Sequence, residues 1–206
     1  MRDRTETQAF FAERAARWDS RFGDDLPAYT AAIATAPPPP GGTAIDVGCG
    51  TGRALPVLRD AVGPTGTVLG LDITPEMLAV AATRATAARA LLALADASQL
   101  PLPTATADVI FAAGLVNHLP DPAAGLAELA RVTRAGGTLI LFHPIGRAAL
   151  AARHGHALRP GEPLAEGPLR ALTAATGWTL TAYEDGERRF LATARRVSAT
   201  APPRER

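Results

Sequence analysis

The segment AIDVGCGTGRAL, residues 44–55, runs from an apolar strand through a turn of glycines straight into a helix, and few folds accept that succession. Gly48, Gly50 and Gly52 let the backbone take positive φ and approach a ligand more closely than any Cβ permits. The helix behind the turn aims free N–H groups at whatever lies there. Such turns occur in every dinucleotide-binding fold, so the details decide. The spacing is G-x-G-x-G, Arg53 stands where a pyrophosphate loop places its last glycine, and Asp46 lies two residues ahead of the first glycine. An acid at that point suits a ligand carrying an ammonium group.

Two further carboxylates come at telling distances. The run Thr67–Leu71 reads as a buried strand ending in Asp72, twenty residues after Gly52, where a carboxylate can accept hydrogen bonds from both hydroxyls of a ribose. The apolar stretch 90–95 ends in Asp96-Ala97, a carboxylate and an adjacent amide able to read the edge of an adenine. With these in place, the words IDVGCGTG, GLDITPEML, ADASQLPLP, ADVIFAAGLVNHLPDP and LARVTRAGGTLILF resemble, in order, the class I S-adenosylmethionine-dependent methyltransferases over about residues 44–142.

That resemblance implies an α/β fold: a Rossmann-like, seven-stranded, mostly parallel sheet with helices on both faces, an antiparallel C-terminal hairpin and an N-terminal helical cap. It implies a single methyltransferase domain over 1–206, divided into a cap (1–35), a Pro/Gly linker (36–43), the core (44–196) and a flexible tail (197–206). The implied cofactor is S-adenosyl-L-methionine, held by Asp46, Gly48, Cys49, Gly50, Gly52, Asp72, Ile73, Met77, Asp96 and Ala97. The expected acceptor is a small molecule, methylated on O, N or C. Cys49 reads as a small residue that admits the cofactor rather than as a nucleophile.

Strand-like runs near 44–48, 67–71, 90–95, 108–113 and 138–142 alternate with helical stretches, the signature of a parallel sheet covered on both faces. Thr74-Pro75 and Asp121-Pro122 each place a capping oxygen before a proline, and Gly136-Gly137 is expected to end the second of these helices. Leu55, Leu58 and Val62 recur at helical spacing as a core face, and Pro56 requires their helix to begin late or kink. Residues 162–176 suit a last helix. TLTAYED and RRFLATARR then read as two antiparallel strands joined near Gly186.

Absences narrow the chemistry. All 21 basic residues are arginine, which removes Schiff-base chemistry and the phosphate-loop lysine. None of Ser20, Ser98 and Ser198 stands in G-x-S-x-G. The net charge is +1, and Arg188, Arg189, Arg195 and Arg196 read as solvated strand ends rather than a nucleic-acid surface. No apolar run approaches the roughly 20 residues that span a bilayer. The charged start MRDRTETQAFF is unlike a signal peptide, and the lone Cys49 excludes an intramolecular disulfide, so the expected location is the cytoplasm. Membrane and nucleic-acid partners are not expected; monomer and homodimer both stay open.

The N-terminal segment concentrates aromatic side chains at Phe10, Phe11, Trp18, Phe22 and Tyr29. The words FFAERAARWDSRF resemble the N-terminus of small-molecule methyltransferases of the ubiquinone/menaquinone biosynthesis type, where such helices cover the active site. Here they either form such a lid or pack on the sheet for stability, and the semi-rigid spacer Pro37 to Pro40 favours the lid. Phe10, Phe11, Trp18, Asn117, His118, His143 and Arg147 are expected to line the acceptor pocket. His118 and His143, placed after the fourth and fifth strands, are the candidate catalytic bases, against the alternative that each is fixed structurally or merely exposed. A helix over 145–154 would align Arg147, Leu150, Ala151 and His154 on one face able to meet an acidic acceptor. His154-x-His156 lacks the partners a metal site needs, so no metal is expected. The rival functions are an S-adenosylmethionine-binding protein without catalysis and an NAD-dependent oxidoreductase.

Overall fold

A computed structural model describes residues 4–21 and 25–197. Phe22 and the expected tail from Ser198 onward lie outside the described residues. The sheet has seven strands in the order β3-β2-β1-β4-β5-β7-β6. They are β1 (Thr43–Val47), β2 (Thr67–Asp72), β3 (Leu91–Leu94), β4 (Ala107–Ala113), β5 (Thr133–His143), β6 (Trp178–Asp185) and β7 (Phe190–Arg196). Pairs from β3 through β5 are parallel, while β7 runs antiparallel to both β5 and β6. The short connection near Gly186 forces that reversal.

Period-two alternation divides the core in two. Ile45, Val47, Ile110, Ala112, Leu139 and Leu141 face one side, packed with Leu126 and Leu129 of α5 (Pro122–Val132) and Leu169 of α7 (Glu166–Ala175). Ala44, Val109, Phe111, Ile140 and Phe142 face the other. Against them lie α2 (Leu26–Ala34), α3 (Leu55–Val62) and α4 (Pro75–Ala87). Leu55, Leu58 and Val62 are fully buried, as their spacing requires. Each adds about 1.5–3 kcal/mol of transfer free energy before the entropy of ordering is subtracted. Trp178 seals the first layer by donating its indole N–H to the Leu126 carbonyl at 2.9 Å.

Several local expectations hold and several change. Pro56 sits at the second position of α3, so the helix begins late rather than kinking. Asp121 caps α5 by accepting from the N–H groups of Ala123 and Ala124. Thr74 precedes α4 but makes no side-chain cap; its N–H is held instead by Asp72. Gly136-Gly137 does not end α5, which stops at Val132. The pair lies inside β5, where Ala107 opposes Thr133 yet Val109 opposes Thr138, so β5 bulges and Gly136 takes a φ of +75°. The third strand is shorter than 90–95 and lies at the sheet edge with Leu91 and Leu94 exposed. The last helix covers 166–175 instead of 162–176. Arg195 and Arg196 are not simply solvated: they donate to the carbonyls of Gly136, Ala130 and Gly177.

The N-terminal segment divides in two. Helix α1 (Arg4–Ala12) and the 3-10 turns Ala15–Arg17 and Asp19–Arg21 lead to α2, whose Tyr29 packs on Phe111 and Phe142 of the sheet at 5.8 and 5.1 Å. At the other end, α6 (Arg147–Arg153) is joined to the β6–β7 hairpin. A Cβ on Gly146 would fall 1.5 Å from the Gly186 carbonyl oxygen, and the Arg147 N–H donates to Asp185 at 2.9 Å.

Candidate functional site

A cavity of about 900 Å³ opens at the carboxyl edge of the parallel strands, where open α/β sheets place their ligands. Its wall is built from the segments just beyond the strand ends: Gly48 to Thr51 and Arg53 after β1, Ile73 and Thr74 after β2, Ala95 to Ala97 after β3, Gly114, Leu115 and Asn117 to Pro120 after β4, and Pro144 and Ile145 after β5.

The glycine turn is stitched to β2. Gly48 and Cys49 both donate their N–H to the Leu71 carbonyl, at 2.8 and 3.0 Å. Asp72 accepts from the Gly50 N–H and the Thr74 N–H, each at 2.8 Å. At Gly52, φ is +78° and a Cβ would press to 2.9 Å from Leu55, so only glycine fits. At Gly50 a Cβ would meet nothing, because that face of the turn is open to the cavity.

Beneath the turn the electrostatics are unusual. Asp46 is 2% exposed and its Oδ1 has no hydrogen-bond partner among the described residues. Burial, and then the charge of Asp72, pushes its pKa up to about 8. Asp72 is also shifted upward, burial outweighing the hydrogen bonds it accepts. Burial and the same two carboxylates push the Cys49 thiol upward, so a thiolate is disfavoured there. Asp96 behaves oppositely: burial would raise its pKa, but bonds from Ser98 and Arg4 hold it below the usual range.

The N-terminal segment is fastened over this floor. Arg4 reaches Asp96 at 3.0 Å, and Gln8 donates to the Ile73 carbonyl at 3.0 Å. Asp19 accepts from the Thr51 hydroxyl at 2.6 Å and from Arg84 at 2.7 Å, and Asp25 pairs with Arg53. Phe11 packs edge-on against Phe10 and Trp18.

Of the residues expected to bind cofactor, all but Gly52 border the cavity; of those expected in the acceptor pocket, all but Arg147 do. Gly52 serves the turn from behind, its α-carbon facing Leu55 and Ala81 rather than the opening. Arg147 is the larger correction. Helical side chains lean toward the helix N-terminus, so this first-turn residue reaches past the start of α6. There it meets Glu162 at 3.0 Å, Asp185 at 3.2 Å and the Tyr183 hydroxyl at 3.3 Å. Leu150, Arg153 and His154 of the same segment border the cavity instead. His143 sets its Nδ1 2.9 Å from the Ile145 carbonyl and 3.1 Å from the Ile145 N–H. Both contacts engage Nδ1, so the tautomer decides which of them is a hydrogen bond, and Nε2 takes part in neither. Burial lowers the pKa of His143, so the ring is neutral at physiological pH. Among the described residues no three His, Cys, Asp or Glu side chains converge as a metal site, and no helix is long and apolar enough to cross a membrane.

Sequence reasoning missed Asp19, Asp25, Thr51 and Arg84, which tie the N-terminal segment to the glycine turn. Their pairing spans 28 to 65 residues, and no local spacing announces it.

Residues 45–141 match the family described as "Methyltransferase domain". The demethylmenaquinone methyltransferase of Bacillus licheniformis is 37% identical over 103 residues, 50% of this chain and 44% of that one. The malonyl-[acyl-carrier protein] O-methyltransferase of Serratia marcescens is 41% identical over 111 residues, 54% of this chain and 41% of the relative. The chain thus spans less than half the length of these curated relatives. A solved structure described as a SAM dependent methyltransferase from Aquifex aeolicus superposes with a TM-score of 0.75 at 23% identity, covering 90% of this chain and 98% of that one.

Proposed function

We infer that this chain, a member of the class I S-adenosylmethionine-dependent methyltransferases, moves a methyl group from S-adenosylmethionine to an O, C or N atom of a small-molecule acceptor. The carrying observation is Asp46, a buried carboxylate with an unpartnered oxygen beside a backbone cradle that is open at Gly50. An ammonium group would satisfy that oxygen and stabilise its charge. A pyrophosphate brings no positive charge that would offset the burial of this group, which speaks against the oxidoreductase reading.

In this reading Asp46 faces the ammonium, Gly48, Cys49, Gly50 and Gly52 give the backbone cradle, and Asp72 takes the ribose hydroxyls. Ile73 and Met77 flank the adenosine, whose base edge meets Asp96 and the Ala97 amide. The bound cofactor supplies an electrophilic sulfonium methyl, so the hard chemistry is not the protein's. The chain's task is to hold the acceptor in line and keep water out. Phe10, Phe11 and Trp18 close the acceptor side, Asn117 borders it, and the neutral imidazole of His143, or the ring of His118, accepts a proton where the acceptor must lose one. The reading carries with it a cytoplasmic location, which the single cysteine supports.

Calorimetric titration with S-adenosylmethionine, S-adenosylhomocysteine and NAD tests it. The first two should bind and NAD should not; binding of NAD alone would overturn the assignment. Radiolabelled methyl transfer in an acceptor screen then separates an enzyme from a binding protein.

A further inference from the structure

The charges around the cavity do not balance along its length. Its carboxylates, Asp25, Asp46, Asp72 and Asp96, belong to β1, to the ends of β2 and β3 and to the segment that covers them. Two of its arginines are matched there: Arg4 by Asp96 and Arg53 by Asp25. Arg153 is the third, at the far end beyond β5, and among the described residues it has neither a hydrogen bond nor an ion pair. The contrast within α6 is direct, since Arg147, one end of the same helix, is neutralised by both Glu162 and Asp185. Arg153 and His154 are exposed yet border the cavity, which puts them on its solvent-facing rim.

The same cavity is lined by the apolar side chains of Phe11, Trp18, Pro144, Ile145 and Leu150. We propose that the acceptor is an apolar molecule bearing a carboxylate, and that Arg153, with His154 beside it, receives that carboxylate at the rim. A guanidinium fork matches a carboxylate in two parallel hydrogen bonds. An unpaired cation at the mouth of a low-dielectric cleft also focuses its field on an entering anion. Support also comes from His143, whose pKa is lowered by burial and then by the charge of Arg153. Arg153 therefore acts on the acceptor end of the cavity.

This proposal rests on the methyltransferase reading, and the test separates the two. Protein saturated with S-adenosylhomocysteine is titrated with 2-naphthoate and with its neutral isostere 2-naphthamide near neutral pH. Naphthoate should bind about tenfold more tightly or better. Arg153→Gln should bring the two ligands level by weakening naphthoate alone, with affinity for S-adenosylhomocysteine and the thermal midpoint kept, because among the described residues the Arg153 side chain makes no hydrogen bond or ion pair. Equal binding of the two ligands, binding of neither, or a preference that survives in R153Q overturns the proposal while the methyltransferase reading stands. Failure of S-adenosylhomocysteine itself to bind removes both.

Discussion

The ring of Phe11 stands edge-on to the imidazole of His118, the centroids 4.9 Å apart and the planes at 79°. One residue belongs to α1 and the other to the turn after β4, so this contact closes the cavity between segments distant in the chain. An edge-to-face pair contributes about 0.5–1.5 kcal/mol beyond burial. Phe11→Ala should therefore speed amide exchange over residues 4–21 by several-fold in the S-adenosylhomocysteine complex and lower turnover more than cofactor affinity. Exchange that is slow in both proteins, with and without ligand, would identify α1 as static packing.

The two histidines can be separated by kinetics. Whichever serves as base should lose roughly 10²-fold in turnover on replacement by alanine while S-adenosylhomocysteine affinity holds. Burial depresses the pKa of His143 below its ordinary 6.5. The unfolded chain then takes up a proton near 6.5 that the folded protein refuses, so this group's contribution to stability is present above pH 6.5 and is lost as pH falls through the folded value. If His143 is the base, the acid limb of the pH–rate profile lies below 6.5; a limb at or above 6.5 excludes it.

Asp46 should reveal itself through protons. Its folded pKa of about 8 exceeds the ordinary 3.8, so the folded protein keeps a proton that the unfolded chain releases. The resulting stability is full below pH 3.8 and is lost as pH rises through about 8. A ligand ammonium would ionise the carboxyl, so S-adenosylhomocysteine binding near pH 7 should release a proton. Calorimetry in two buffers of different ionisation enthalpy reads this directly. Asp46→Asn should diminish the release and raise the thermal midpoint of the ligand-free protein at alkaline pH; identical proton counts in the two proteins would refute the assignment.

Asp72 holds the glycine turn and is the proposed ribose ligand, so its loss should show twice. Asp72→Ala removes the acceptor of two backbone N–H groups, so the thermal midpoint should fall. It also removes the proposed ribose ligand, so affinity for S-adenosylhomocysteine should drop at least tenfold, about 1.4 kcal/mol or more. A variant with an unchanged midpoint and parental affinity would mean that Asp72 does neither.

The parallel half of the fold was legible because its signals are local. A strand ending in glycines, or a carboxylate at a strand end, falls within a short stretch of chain, and period-two alternation specifies the two faces of β4 and β5. What escaped depends on distance along the chain. The bulge at Gly136-Gly137 is visible only once β4 supplies the partner register, because a glycine pair after a helix reads equally well as its end. The turn of Arg147 toward Asp185 required knowing that the hairpin returns beside α6, and the pairing of Asp19 with Arg84 required knowing where the N-terminal segment lies. At the site, residue types near the glycine turn were readable from spacing, whereas Arg153 came forward only when the other arginines of the cavity were seen to be paired.

Gly146 lies so close to Gly186 that α6 moves with the hairpin. In the proposed reading, the α6 side of the acceptor wall is thus braced by the reversed strands, while the floor assigned to the cofactor is built on the parallel ones. On that reading, inherited change in β6, β7 or their loop would retool what the protein accepts while its methyl supply goes on untouched, and a lineage would explore new chemistry on one side of the molecule without putting the other at risk.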